Sequence, residues 1–420
     1  MRDFYPEDMD MRRAVFDAWT LAALSFGFCQ YDACVVESLE LLKRKSGEEI
    51  VGQIYAFKDK SDRDLALRPE MTPSLARMIV AKQGSLSFPL KWFAIAQCFR
   101  YERTTKGRKR EHYQWNLDVV GEDSLGAEAE ILACALNALS RLGLSAGDVQ
   151  VHYNSRALLA ELFLKAGISG ELHAAVFLAL DKRGKIPDAE IRGLLQNAGL
   201  DNNAVEAAFK IISLNTLEEA RAFLGGLSPA LAAVEELPQR LADYGFNDNL
   251  RFDIGVVRGL GYYTGIVFEA YAVRQKMRAI FGGGRYDRLL SDIGGKETTA
   301  VGLGFGDVVI ADLLQENGKM EQLTGADRID LAVGFMEDAQ RSTAVRLAQA
   351  WRANDKRVDL ALRPEKAKSF FGRVGKGGVA EAAYIGPDDL ASGALRVKNL
   401  RDRSEKRIAL SELNAATLSS

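Results

Sequence analysis

The sequence predicts an α+β chain in two parts, and three observations carry that reading. Up to Asn317, strand-like and helix-like segments are interleaved around one long β-hairpin that runs from Trp92 through Val119. A block of helical pattern without strands fills about 168–248, as an inserted lobe would. Past Asn317 strands and helices alternate, as in a small α/β domain with a largely parallel sheet. The expected division is 1–320 and 327–420, and the 420 residues are enough for two or three domains.

Taken in order, Glu7 to Phe26 reads as a helix, with Pro6 at its start, Val15, Trp19, Ala22 and Ala23 on one face, and Gly27 as its stop. Tyr31 to Val36 reads as a short strand and Leu39 to Lys45 as a helix. Ile54 to Phe57 and Leu65 to Arg68 are strands about a charged turn; Pro69 ends the second, and Thr72 to Lys82 is helical. After the hairpin, Ser124 is the expected cap of a helix through Leu142, with Leu132, Leu136 and Leu139 inward and Gly143 as stop. Strands resume at Leu250 to Asp253 and Thr264 to Ala270. Ala279 to Phe281 runs into Gly282-Gly283-Gly284, read as a backbone-exposing turn. The glycine-dense stretch Val301 to Gly306 precedes a helix, Val308 to Leu314. In the second part the expected order is strand 328–335, helix 337–353, strand 357–362, helix 365–375 and strand 382–385.

Composition narrows the class. Hydrophobic residues make up 47% and charged residues 27%, an ordinary globular balance. No apolar run reaches membrane-spanning length, and Met1-Arg2-Asp3-Phe4 lacks the apolar core of a signal peptide, so the expected location is cytoplasmic. Cys29, Cys34, Cys98 and Cys134 form no CxxC pair, which argues against structural zinc and for reduced thiols. The net charge of −2 excludes a wholly basic nucleic-acid coat but not a local patch.

The hairpin carries the densest chemistry. Its apolar first strand ends at Phe99-Arg100-Tyr101-Glu102, and its tip holds Arg103, Lys106, Arg108, Lys109 and Arg110, with Gly107 free to take a positive φ. If the hairpin folds back, Arg100 and Arg108 face one site, where planar guanidinium forks suit a polyphosphate. Three other segments set charged or aromatic residues among apolar ones: Leu67-Arg68-Pro69-Glu70-Met71-Thr72, Arg258-Gly259-Leu260-Gly261-Tyr262-Tyr263-Thr264-Gly265, and Gly302-Leu303-Gly304-Phe305-Gly306-Asp307. Each alone has an ordinary structural explanation as an edge residue, a half-buried pair or a turn.

Together and in this order, these segments resemble the histidyl-tRNA synthetases, a class II aminoacyl-tRNA synthetase family. The resemblance begins at Arg2-Asp3-Phe4-Tyr5-Pro6-Glu7-Asp8-Met9. It continues through Arg44-Lys45-Ser46-Gly47-Glu48-Glu49-Ile50-Val51 and the run from Leu67 to Arg77, and takes in the C-terminal domain, which is similar to an anticodon-binding domain. It implies an antiparallel class II sheet flanked by helices. It implies histidine–tRNA ligase activity, with L-histidine, ATP with Mg2+ and histidine tRNA as reactants, in a homodimer paired through the N-terminal helix and following strand. By similarity Arg100 and Arg258 hold the α-phosphate, Arg108 the distal phosphates, and Glu102 the adenine end. Glu70, Thr72 and Gln114 match positions for the α-amino group, and Asp118, Tyr262 and Tyr263 those for the imidazole ring. No fixed protein ligands for a metal are implied. Gln114 and Asp118 are equally compatible with the solvent face of a strand, since their even spacing only puts them on one side.

The pattern departs from the family in four places. The third class II motif ordinarily ends in an arginine on the γ-phosphate, and Val309 stands there; Arg110 and Arg285 are the candidate substitutes. Asp118 replaces a common Glu, Gly261 a common Asp, and Thr104-Thr105 a common Pro-Gln. The lost arginine favours one alternative, a catalytically inactive paralogue serving as regulatory subunit of ATP phosphoribosyltransferase. The intact Arg100, Glu102, Arg108 and Arg258 and the C-terminal domain oppose it. In that domain Lys366, Lys368, Arg373 and Lys376 are candidate tRNA contacts, or else a charged helix face.

Overall fold

The computed structural model describes residues 1–45, 52–184, 186–257, 262–320, 323 and 329–413. Arg258, Gly259, Leu260 and Gly261 lie outside the described residues, as do 46–51 of the second matching segment. The chain divides into two compact units, Met1–Glu321 and Gln322–Ser420, close to the boundary read from the sequence.

The first unit is built on an eight-stranded sheet. In chain order its strands are β1 (Cys29–Gln30), β5 (Leu90–Phe99), β6 (Glu111–Val120), β7 (Val149–Ser155), β8 (Leu250–Phe252), β9 (Ile266–Ala272), β10 (Phe281–Arg285) and β11 (Ala300–Gly306). A small second sheet holds β2 (Val36–Ser38), β3 (Ala56–Lys58) and β4 (Asp64–Leu67). Across the large sheet the order is β1-β5-β6-β11-β10-β9-β7-β8. The six inner strands are antiparallel throughout, and only the outermost pairs, β1 with β5 and β7 with β8, are parallel. The expected α+β architecture with an antiparallel sheet is present.

Strand periodicity separates the two faces of this sheet. On β6, Tyr113 and Trp115 turn toward the helices, while His112, Gln114, Asn116 and Asp118 line a cavity on the other side. The helix Pro6–Ser25 covers the first face. Its Trp19 is fully buried, stacked on Trp115 with ring centroids 5.8 Å apart and packed on Phe305 at 5.2 Å. Phe281 extends the cluster through Phe305. The aromatic core thus sits between that helix and the sheet, and the opposite face is left for chemistry.

Several sequence expectations shift. Gly282-Gly283-Gly284 is the interior of β10 and not a turn. A Cβ on Gly283 would lie 2.1 Å from the Gly302 carbonyl oxygen, so the glycines serve close strand packing. The helix expected to begin at Ser124 spans Gly126–Arg141, with no side-chain cap. Tyr31 to Cys34 lies between β1 and β2 and is not strand. The helical lobe is present: among the described residues, five α-helices from His173–Leu180 to Pro229–Ala242 follow the helix Arg156–Lys165 between β7 and β8.

The second unit has a five-stranded sheet, β12 (Ile329–Phe335), β13 (Val358–Leu360), β14 (Val379–Ile385), β15 (Ala394–Asn399) and β16 (Glu405–Ala409), ordered β13-β12-β14-β15-β16. The first three are parallel, as expected, and β15 and β16 add an antiparallel end that the sequence reading missed. Helices Arg341–Arg352 and Ala367–Val374 pack on β12. Among the described residues no helix is long and apolar enough to cross a membrane.

Candidate active site

The β5–β6 hairpin folds back as its sequence requires. Lys106-Gly107 form its tip, closed by backbone hydrogen bonds in both directions between Thr105 and Arg108 (3.1 Å each), and Gly107 takes φ +72°. This sets Arg100, Glu102 and Arg108 on the rim of a cavity of about 290 Å3. Glu70, Thr72, Gln114, Asp118, Tyr262 and Tyr263 line the same cavity, so all nine described candidate residues converge.

Each is held by a local device. Arg68 is buried, and its guanidinium donates to the carbonyls of Gln97 (2.9 Å) and Ala33 (2.7 Å), which pins the loop that presents Glu70. Arg100 Nε donates to the Pro69 carbonyl at 3.0 Å, tying the hairpin to that loop. Arg108 Nε faces Glu102 Oε2 at 2.5 Å. Tyr262 and Tyr263 pack on one another, and Tyr262 meets Tyr286 edge-on at 5.9 Å.

Asp118 is 2% exposed. Its Oδ1 accepts from the Tyr286 hydroxyl at 2.6 Å, whereas its buried Oδ2 has no hydrogen-bond partner among the described residues. Burial pushes the carboxyl up to about 7, against the opposing Tyr286 hydrogen bond. A buried acceptor lacking a partner is costly, and here it belongs to a residue that lines the cavity. Nearby, burial and the Arg100 charge hold the His112 imidazole down at about 3, so it is neutral at any ordinary pH.

The glycines of β11 make the floor. Gly302 pairs with Asp118, and a Cβ on it would lie 2.2 Å from Asp118 Oδ1. A Cβ on Gly304 would meet Gln114 Nε2 at 2.6 Å. These glycines therefore give the two polar side chains of β6 the space to lie flat across the neighbouring strand. Beyond them Asp307 begins a helix and accepts from the Tyr113 backbone (2.9 Å) and Arg2 Nη2 (2.9 Å). Arg2 also grips Glu111 at 2.9 Å, so the second residue of the chain braces the base of the hairpin.

Neither proposed substitute for the missing arginine reaches the cavity. Arg285 is committed to Glu128 (2.6 Å) and to the carbonyls of Glu122 and Ser124. Arg110 stacks on Tyr101, 4.4 Å from the ring centre, and donates to the Glu102 carbonyl. Val309 does line the cavity, as the motif alignment requires. The lining also includes His112, Asn116, Glu269, Arg278 and Tyr286, which the sequence reading passed over. His112 and Asn116 share the parity of Gln114 and Asp118 and could have been found by that signal. Arg278 lies in an irregular loop between β9 and β10 and carries no periodic signal.

An antiparallel sheet that presents arginines from a hairpin over a glycine floor is the catalytic architecture of the class II aminoacyl-tRNA synthetases. A family model described as histidyl-tRNA synthetase matches residues 1–306. The chain belongs to the histidyl-tRNA synthetase family. It is 40% identical over 412 residues to the chloroplastic/mitochondrial histidine–tRNA ligase of Arabidopsis thaliana, covering 98% of this chain and 84% of that protein. It is 37% identical over 420 residues to the histidine–tRNA ligase of Opitutus terrae, covering 99% and 96%. Its fold is similar to the crystal structure of histidyl-tRNA synthetase from Nostoc sp. PCC 7120, with a TM-score of 0.80 at 22% identity over 98% and 97% of the two chains.

Proposed function

We propose that this chain activates L-histidine with ATP to histidyl-adenylate and transfers the histidyl group to the 3′ end of histidine tRNA. The observation that carries the reading is the single cavity that holds a cationic rim and a buried carboxylate together. Arg100 and Arg108 line it together with Asp118, a buried carboxyl whose Oδ2 has no hydrogen-bond partner among the described residues. In the first step a histidine carboxylate oxygen attacks the α-phosphorus. The bond to the bridging oxygen breaks, and pyrophosphate leaves with the electron pair. Negative charge builds on phosphate oxygens, so the protein's contribution is positioning and electrostatic stabilisation. Arg100, with Arg258, is assigned to the α-phosphate, Arg108 to the distal phosphates, and Glu102 to the adenine end.

In the same cavity Glu70, Thr72 and Gln114 take the α-amino group. Asp118 accepts an imidazole N–H, with Tyr262 and Tyr263 beside the ring. A site that must satisfy its own buried acceptor rejects isosteres lacking the donor. ATP enters as its magnesium complex. The ion is carried in on phosphate oxygens and water.

The second unit is assigned to the tRNA anticodon end, with Lys366, Lys368 and Lys376 exposed on and beside the helix Ala367–Val374. Arg373 is already engaged by Asp359 (2.7 Å) and Glu365 (2.9 Å) and is the weaker candidate. The homodimer is assigned to the N-terminal helix and β1, where Leu21 and Leu24 are more than half exposed.

Histidine-dependent ATP–pyrophosphate exchange tests the reading, with Arg258→Ala as control. Exchange that requires histidine and collapses in the variant is the expected outcome. Histidine binding without any exchange would transfer the chain to the regulatory-subunit reading.

A further inference from the structure

The structure leaves one arginine of the cavity without a role. Arg278 enters from the loop between β9 and β10, and among the described residues it forms no hydrogen bond or ion pair with a carboxylate. The other lining arginines are tied down, Arg108 to Glu102 and Arg100 to the Pro69 carbonyl, while Lys109 adds a further cation to the lining.

Its location is fixed by the hairpin tip. A Cβ placed on Gly107 would meet Val309 Cγ2 at 3.4 Å and Arg278 Cδ at 3.5 Å. The stem of Arg278 and the side chain of Val309 therefore flank the same point under the tip. That is where an arginine at position 309 would project. The Arg278 guanidinium begins one bond beyond Cδ, so it is carried from beside Val309 on a side chain that lines the same cavity. Glycine suits position 107 because its φ of +72° is one that other residues rarely adopt.

The surroundings suit a polyanion. Burial lowers the Arg278 pKa, and the Arg108 and Arg100 charges lower it further, opposed by Glu102 and Glu269. Three guanidinium groups facing one another lower their mutual cost when a multiply charged anion enters among them.

We propose that Arg278 binds the distal phosphates of ATP and holds the departing pyrophosphate, in place of the third-motif arginine that Val309 has displaced. The inference rests on the synthetase reading above. Arg278 touches the leaving group, whose charge rises as the α–β bridging bond breaks, and takes no proton in the step.

The test is ATP–pyrophosphate exchange on the full chain, comparing Arg278→Ala, Arg278→Lys and the double variant Arg278→Ala/Val309→Arg. In Arg278→Ala the KM values for ATP and for pyrophosphate rise about 10- to 100-fold, while histidine binding measured calorimetrically without ATP is unchanged. Arg278→Lys keeps the aliphatic stem and the charge but loses the fork, and falls between. The double variant recovers part of the ATP KM, which a purely structural role for Arg278 would not produce. Unchanged KM for ATP in both single variants would overturn the proposal. If the unmodified chain shows no histidine-dependent exchange, the synthetase reading fails. Direct ATP binding to the unmodified chain and to Arg278→Ala then still decides whether Arg278 holds the triphosphate.

Discussion

At the scale of single residues, Asp118 joins stability to the selectivity proposed for the site. Its ordinary carboxyl value of 3.8 is raised by burial to about 7 in the folded protein. The folded state then retains a proton that the unfolded chain gives up above about pH 4. This contribution to stability is complete below the unfolded value and is lost as pH rises through 7. Denaturant midpoints should fall between pH 5 and pH 8, and Asp118→Asn, which cannot ionise, should flatten that fall. The same substitution offers an amide in place of the charged acceptor and should weaken histidine binding about tenfold or more. Equal pH slopes for the two proteins would show that Asp118 is ionised throughout. The side of β6 that carries Asp118 and Gln114 was legible from spacing alone. That this side is the interior of a cavity was not, because it depends on Gly302 and Gly304 of a strand distant in sequence.

At the scale of elements, the hairpin is aimed by what lies at its base. Glu111 and Asp307 are both buried, and both are compensated by Arg2. Removing one partner of a buried ion network leaves the others uncompensated, at a cost of about 3–5 kcal/mol. Arg2→Ala should therefore lower the unfolding free energy by several kcal/mol and loosen the hairpin. Arg2→Lys should recover only part of it, since a single ammonium cannot reproduce the guanidinium fork. A midpoint unchanged in Arg2→Ala would show that the network contributes nothing net. Helices with strong apolar faces, such as Thr72–Lys82, were legible to the residue. The glycine run of β10 was not: local chemistry favours a turn there, and a strand wins because β9 and β11 pass too close on either side for any side chain. Strands β15 and β16 were missed because their sequence is rich in charge, with Arg396, Lys398, Lys406 and Arg407 among their residues.

At the scale of the whole molecule, the proposed division of function between the two units predicts how salt acts on them. Contacts between exposed lysines and phosphates release counterions, so the KM for tRNA should rise steeply with ionic strength while that for histidine, enclosed in the cavity, barely moves. Changing Lys366, Lys368 and Lys376 to Ala together should reduce the salt slope for tRNA and leave ATP–pyrophosphate exchange intact. A salt-independent KM for tRNA would remove these residues from the interface. The order of the strands carries a further consequence, for how such a chain comes off the ribosome. β5 and β6 are complete by Val120, yet the partner that covers the other edge of β6 begins only at Ala300, after the whole helical lobe has been made. Until then the hairpin exposes an open edge with Trp115, Leu117 and Val119 along it, the kind of surface that recruits neighbouring nascent chains. The vulnerable moment in this protein's life is thus the long wait of one edge for its partner, and conditions that slow synthesis of the lobe should be felt first as lost yield, before any change in the finished molecule.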